Sequence, residues 1–214
     1  MRISVLCSSS SHPIYPWLER WIAQLDSSHQ VQLVERKVDL AGGDILFLIS
    51  CHEIIGRHDR ARYRATLVVH SSDLPEGRGW SPHVWQVLEG RNEIVVSLLE
   101  AADSVDAGPI WAKRRFQLEG HELYDEINDK LFSISIELMM LAVTSFGTLE
   151  PKPQDDRVPT YYRRRTPEDS RIDPYQSIAT QFNLLRVCDP DRFPAFFELK
   201  GKIYTIQLDK LRET

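Results

Sequence analysis

Two short stretches of this chain hold residues whose types and spacing could do chemistry. In Thr66-Leu-Val-Val-His70 an apolar run ends on a histidine, and the turn-forming residues Ser71-Ser-Asp-Leu-Pro-Glu-Gly-Arg-Gly-Trp-Ser-Pro82 follow it. Downstream, Ala101-Ala-Asp-Ser-Val-Asp-Ala-Gly108 offers two carboxylates, Asp103 and Asp106, ahead of a glycine that permits a close turn. An imidazole and a carboxylate brought together can exchange protons with an attacking nucleophile. His70 alone would say little, because a histidine closing an apolar run is more often a hydrogen-bonded structural residue. His52 and Glu53 form another candidate pair. Flanked by Ile54 and Ile55, however, their loop reads better as one wall of a flat apolar pocket.

These residues need a frame that delivers them to one edge. Arg2 to Cys7 reads as a central strand, followed at once by Ser8 to Ser11. Trp17, Leu18, Trp21, Ile22 and Leu25 then recur at helical spacing. Hydroxyls and free backbone N–H groups at such a helix entrance, those of Ser9 and Ser10 among them, can hold a phosphate; a plain serine turn is an equal alternative. Val31–Val34 and Asp44–Ile49 are further strands, and Arg57 to Arg64 suggests a short helix with an arginine-rich solvated face. Ser81–Leu88 predicts a helix with Pro82 in its first turn, where a missing N–H costs nothing. Glu93–Glu100 reads as a strand and Ile110–Leu118 as an edge strand. The longest helix is expected over His121–Phe146, where Leu123, Ile127, Leu131, Ile134, Leu138 and Leu141 step by three and four. Glu122 and Asp125 are placed in its first turn, complementing the helix dipole. Continuous apolar strands alternating with helices predict an α/β, Rossmann-like fold with a mostly parallel sheet. Ligands of such sheets gather outside the carboxyl ends of the strands, where His70 should emerge.

Pro151 to Pro159 is polar and proline-bearing and marks the best boundary. It divides residues 1–150, the core, from 151–214, a linker with a helix near Ser177–Val187 and a β-hairpin around Lys200-Gly201-Lys202. This extension is too small to stand alone and must pack on the main body or on a second subunit, which makes a homodimer possible.

With 26 basic and 31 acidic side chains the net charge is −5, which argues against general nucleic-acid binding. Cys7, Cys51 and Cys188 are far apart and make no CxxC pattern, as expected of thiols in a reducing cytoplasm. No metal-ligand spacing is present. No run of about 18 apolar residues or basic-then-apolar leader occurs, so neither a membrane span nor a secretory signal is expected.

Taken together, His70, Leu74-Pro75, Arg78-Gly79 and Val105-Asp106-Ala107-Gly108 resemble the signature of the folate-dependent formyltransferases over Ile45 to about Phe146. The tail, Glu168-Asp-Ser-Arg-Ile-Asp173 followed by helix and hairpin, is similar to the segment after the catalytic domain in methionyl-tRNA and sugar N-formyltransferases. The resemblance implies a formyltransferase core that passes a formyl group from 10-formyltetrahydrofolate to an amine. It assigns His70 to the developing oxyanion and Asp106 to the proton relay. It puts the folate beside Cys51, Ile54, Ile55, Leu74, Ala102 and Asp103, and the acceptor beside Ser9, Ser10, Arg78, Gly79 and Trp80. One departure stands out. The family's asparagine, two residues before the histidine, falls at Val68, and losing one oxyanion donor costs about 2.7–4 kcal/mol in acyl transfer. Ser71 and Ser97 are candidate replacements.

Among the acceptors the family uses, an amino sugar, nucleotide-linked and destined for surface polysaccharide, fits best. The resemblance gives the tRNA enzymes a longer chain with an extra carboxyl-terminal barrel and a basic surface, which the tail and the negative net charge do not lead us to expect here, and the glycinamide ribonucleotide enzymes generally lack the tail. Arg78 and Arg163 to Arg165 could meet a diphosphate, or the triplet could face solvent or another subunit. A formyltetrahydrofolate hydrolase and a non-catalytic folate-binding homologue remain alternatives.

Overall fold

A computed structural model describes residues 1–211 of the chain. Its centre is a six-stranded sheet built from β1 (Arg2–Leu6), β2 (Gln30–Val34), β3 (Gly43–Leu48), β4 (Tyr63–His70), β6 (Glu93–Glu100) and β7 (Ile110–Gln117) in the order β2-β1-β3-β4-β6-β7. The first four run parallel, and β6 and β7 are antiparallel to their neighbours. The sheet is therefore mostly parallel, as expected, with an antiparallel margin. Two short strands, β5 (Arg78–Gly79) and β8 (Tyr161–Tyr162), pair in parallel beside it. A hairpin of β9 (Ala195–Leu199) and β10 (Lys202–Ile206) forms the tail. The helices are α1 (Tyr15–Gln24), α2 (Arg57–Arg60), α3 (Pro82–Leu88), α4 (Tyr124–Thr144) and α5 (Ile178–Arg186). Among the described residues no helix is long and apolar enough to cross a membrane.

Burial on both faces explains why the central strands are apolar throughout. On one face Ile3, Val5, Ile45, Phe47 and Leu67 pack under α1 and α4 with Leu18, Trp21, Leu131, Leu138 and Met139. The Trp21 ring meets Phe47 edge-on at 5.8 Å. Truncating so deeply buried an aromatic costs about 3–5 kcal/mol. On the other face Leu6, Leu46, Leu48, Ile55 and Tyr63 form a second cluster, with Val68 against it. Polar function is thereby pushed to the strand ends and their loops.

Two expectations need adjustment. The arginine-rich helix lasts one turn, because Tyr63 already belongs to β4. Glu122 precedes α4; Asp125 and Glu126 occupy the first turn, where Glu126 accepts the Leu123 N–H at 2.8 Å. Glu122 is instead buried, accepting the N–H groups of Glu119 and Gly120 and an ammonium hydrogen bond from Lys130 at 2.6 Å. The extension packs on the body of the same chain, one of the two expected arrangements. The fully buried Arg186 of α5 donates to the Glu122 carbonyl at 3.3 Å, and the Tyr124 hydroxyl donates to Asp189 at 2.6 Å. Val187 joins Val87, Ile94, Leu118 and Ile127 in a shared cluster.

Candidate active site

His70 is the last residue of β4, 6 % exposed. Its Nε2 lies 2.9 Å from the carbonyl oxygen of Gly77. A carbonyl only accepts, so Nε2 carries a hydrogen and donates. That leaves Nδ1 facing Asp106, whose Oδ2 stands 3.6 Å away. Singly protonated on Nε2, the ring presents a lone pair to a carboxylate; the doubly protonated ring offers each partner an N–H.

Asp106 arrives by an unexpected route. Because β6 is antiparallel to β4, it ends level with Leu67, not with His70. The Ala101 N–H donates to the Thr66 carbonyl at 2.8 Å. From there the loop folds back toward His70. Asp106 takes a left-handed backbone conformation, φ +52°, and its Oδ2 accepts the Gly79 N–H at 2.9 Å. Gly79 itself has φ +100°, and a Cβ on it would be driven into the Tyr162 carbonyl oxygen. A Cβ on Gly108 would meet the Glu100 carbonyl oxygen in the same way. The Arg-Gly pair and the Asp-x-Gly motif are thus two halves of one hydrogen-bonded assembly.

The residues assigned to the folate pocket divide. Ile54 is 82 % exposed, but Ile55 is 6 % exposed; it belongs to the core cluster with Leu6, Leu46 and Tyr63, which corrects the expectation that both isoleucines wall a pocket. Leu74 is fully buried, so its side chain is no pocket wall. Its carbonyl accepts hydrogen bonds from Lys113 at 2.8 Å and Arg157 at 3.2 Å. Cys51 is half-buried, and burial pushes its thiol pKa up. Ala102 is half-buried, and Asp103 is exposed and paired with Arg60.

The acceptor-side residues also divide. The Ser10 N–H donates to Glu35 at 3.0 Å, and the Ser9 and Ser11 hydroxyls bond each other at 2.8 Å. That loop lies against a carboxylate, the wrong charge for a phosphate cradle. Trp80 is 37 % exposed, between the His52 ring at 5.7 Å and the Arg164 guanidinium at 4.9 Å. Within the arginine triplet, Arg163 pairs with Asp169, and Arg165 donates to the Asp169 carbonyl and the Ser170 hydroxyl. Arg164 has the Trp80 ring and no carboxylate partner among the described residues. Arg78 likewise lacks a carboxylate there, and its Nε is buried without a hydrogen-bond partner.

Both proposed substitutes for the missing asparagine are already engaged. The Ser97 hydroxyl donates to the Ser72 carbonyl at 2.7 Å, and the Ser71 hydroxyl is bonded to His83 Nδ1 at 3.0 Å. Val68 packs on the second core cluster. Sequence reasoning gave no role to Gly77, His83 or Gln154. The first lies inside the marked turn and could have been suspected there. Gln154 sits in the proline-bearing linker, where its residue type carries no signal. No group of three or more His, Cys, Asp or Glu side chains able to hold a metal occurs among the described residues.

An α/β sheet with a buried histidine–carboxylate pair at a strand end, joined by an Arg-Gly turn, is an arrangement able to move protons between reacting groups. Residues 12–143 match the sequence model of the formyl transferase family, and the chain belongs to that family. Over 142 residues it is 30 % identical to the methionyl-tRNA formyltransferase of Rickettsia bellii (strain RML369-C), covering 65 % of this chain and 46 % of that protein. The chain thus spans about half the length of this curated relative. Among solved structures, a methionyl-tRNA formyltransferase from Clostridium thermocellum superposes with a TM-score of 0.80 at 20 % identity, covering 96 % of this chain and 97 % of that one. HypX from Aquifex aeolicus in complex with tetrahydrofolic acid gives a TM-score of 0.77 at 22 % identity, covering 97 % of this chain and 37 % of that one. A 4-N formyltransferase from Francisella tularensis gives 0.72 at 13 % identity, covering 99 % and 98 %. At these identities the superpositions establish the shared fold.

Proposed function

We propose that this protein transfers a formyl group from 10-formyltetrahydrofolate to the amine of a nucleotide-linked amino sugar. Residues 1–150 form the catalytic portion in this reading and 151–214 the extension. The observation that carries it is the buried pair of His70 Nδ1 and Asp106 Oδ2 at 3.6 Å, beside the turn that the family resemblance marks.

The pair suits a formyl group held on an amide-like nitrogen, which is what 10-formyltetrahydrofolate supplies when bound. Asp106 draws a proton from the attacking amine, and the Nδ1 edge of His70, the one not bonded to Gly77, is left to serve the oxygen that gains charge. As the new carbon–nitrogen bond forms and the old one breaks, the pair passes the amine's proton to the leaving nitrogen. Burial strengthens these electrostatic interactions relative to water.

Three features support a nucleotide-linked amino sugar. Arg164 over Trp80 is a cation without a carboxylate partner among the described residues, and Arg78 keeps an unused buried donor. Both suit a diphosphate. The net charge of −5 suits a small acceptor better than a large polyanion. A methionyl-tRNA acceptor is the second reading, favoured by the Rickettsia relative.

The test is to supply 10-formyltetrahydrofolate with nucleotide-linked amino sugars, with methionyl-tRNA, or with no amine, and to follow tetrahydrofolate and formate. Turnover that requires the amino sugar is expected. Formate release unchanged by any amine would identify a hydrolase instead, and turnover only with methionyl-tRNA would establish the second reading.

A further inference from the structure

We propose that Gln154 is the positioning residue for Asp106, so that the site is completed by chain beyond the boundary at residue 150. This rests on the formyl-transfer reading for its kinetic consequence but on geometry alone for its structural one.

A non-glycine residue in the left-handed region costs about 1–3 kcal/mol and persists only where its surroundings over-determine it. Asp106 is such a residue, and its carboxylate must also be aimed at His70. The Gly79 N–H fixes one end, on Oδ2. Gln154 fixes the other: its Nε2 donates to the main-chain carbonyls of Asp106 at 2.7 Å and Gly108 at 3.0 Å. Its Oε1 accepts from Arg78 Nη2 at 2.6 Å. The orientation of the amide follows from its partners, since two carbonyls demand the NH2 group and a guanidinium demands the oxygen. Both hydrogens and the oxygen are thus used, and Gln154 ties the Asp-x-Gly loop to the Arg-Gly turn.

The backbone delivers Gln154 to this place. Lys152 exchanges both main-chain hydrogen bonds with Ile110, at 2.7 and 2.9 Å. Further along, the Thr160 hydroxyl accepts the Gly77 N–H at 2.8 Å, and the Thr160 carbonyl accepts the Arg78 N–H at 2.9 Å. Gly77 is the residue whose carbonyl holds His70. The segment between α4 and β8 therefore grips both loops that carry the reacting pair.

Only an amide fits all three contacts. Glutamate has the same shape but no hydrogens for the two carbonyls, so Gln154→Glu separates hydrogen bonding from packing. We expect Gln154→Ala and Gln154→Glu each to lower kcat by about a hundredfold, the scale of a misplacement near 1 Å, with KM for the folate little changed. In an Asp106→Asn background the further loss from Gln154→Ala should nearly vanish, because both act through one carboxylate. Independent, multiplying effects, or a Gln154→Glu variant with unchanged kcat, would overturn the proposal. The His70 ring NMR signals give a readout that needs no turnover. If Gln154→Glu fails to move them where Asp106→Asn does, the positioning role is wrong, whatever reaction the protein catalyses.

Discussion

The His70 ring and the Asp106 carboxylate approach to 3.6 Å with side chains 7 % and 9 % exposed, although all of α3 and β6 lies between them in the chain. General acid–base groups of this kind contribute about 10²–10⁴-fold each. His70→Ala and Asp106→Asn should each lower kcat within that range while circular dichroism and melting temperature stay near wild type. Formyl transfer that survives His70→Ala at full rate would remove the assignment.

Gly79 and Gly108 are tests of the assembly that holds this pair. Alanine at either would push a Cβ into a backbone oxygen, that of Tyr162 or of Glu100. Each substitution should destabilise by about 1–3 kcal/mol or more, as overpacking does. Gly90 is the control: its φ is +81° and a Cβ there would meet nothing within 4 Å. Gly90→Ala should therefore cost only the left-handed backbone, about 1–2 kcal/mol. Urea unfolding of the three variants, together with their kcat, checks the order.

Val68 leaves the oxyanion without the amide that the resemblance expects. Val68→Asn should raise kcat by up to about 10²-fold if that donor is what the site lacks. The same change introduces a polar group beside the Leu6–Leu46–Leu48 cluster and should cost about 1–3 kcal/mol of stability. A stable Val68→Asn variant with unchanged turnover would show that another group already holds the oxygen.

Two histidines near the site should make stability depend on pH. Burial, then repulsion from the neighbouring basic side chains, lowers His83 from 6.5 to about 4. Burial, then Arg192 and His52, lowers His12 to about 4 as well. In the window between these values the unfolded chain binds more protons than the folded one. Their contribution is therefore intact above pH 6.5 and is lost as pH falls toward 4. Urea midpoints measured from about pH 7.5 to about pH 4.5 should fall, and His83→Gln, which can still bond Ser71, should flatten the slope. An unchanged slope would locate the titration elsewhere.

Much of the fold was legible because periodicity and burial are local consequences of sequence. The strands β1, β3 and β6 and the helices α1 and α4 lie where apolar spacing puts them. The misreadings have a common cause. Ile55 and Leu74 look like pocket residues beside a candidate loop, yet whether a leucine lines a cleft or fills the core depends on what covers it. Glu122 looks like a helix-dipole residue, and only the docking of α5 reveals it as a buried partner of Lys130 and Arg186.

The sequence by itself determined the α/β architecture, the strand that carries His70 and the turn glycines that mark the family. Those follow from residue types and short spacings. Tertiary structure decided that Asp106 reaches His70 by folding back from a strand end level with Leu67, and that Gln154 in a linker stands where it can hold it there. An antiparallel strand reverses the direction of the chain without altering its pattern of apolar residues, and a single amide in a polar segment has meaning only through the three groups that surround it.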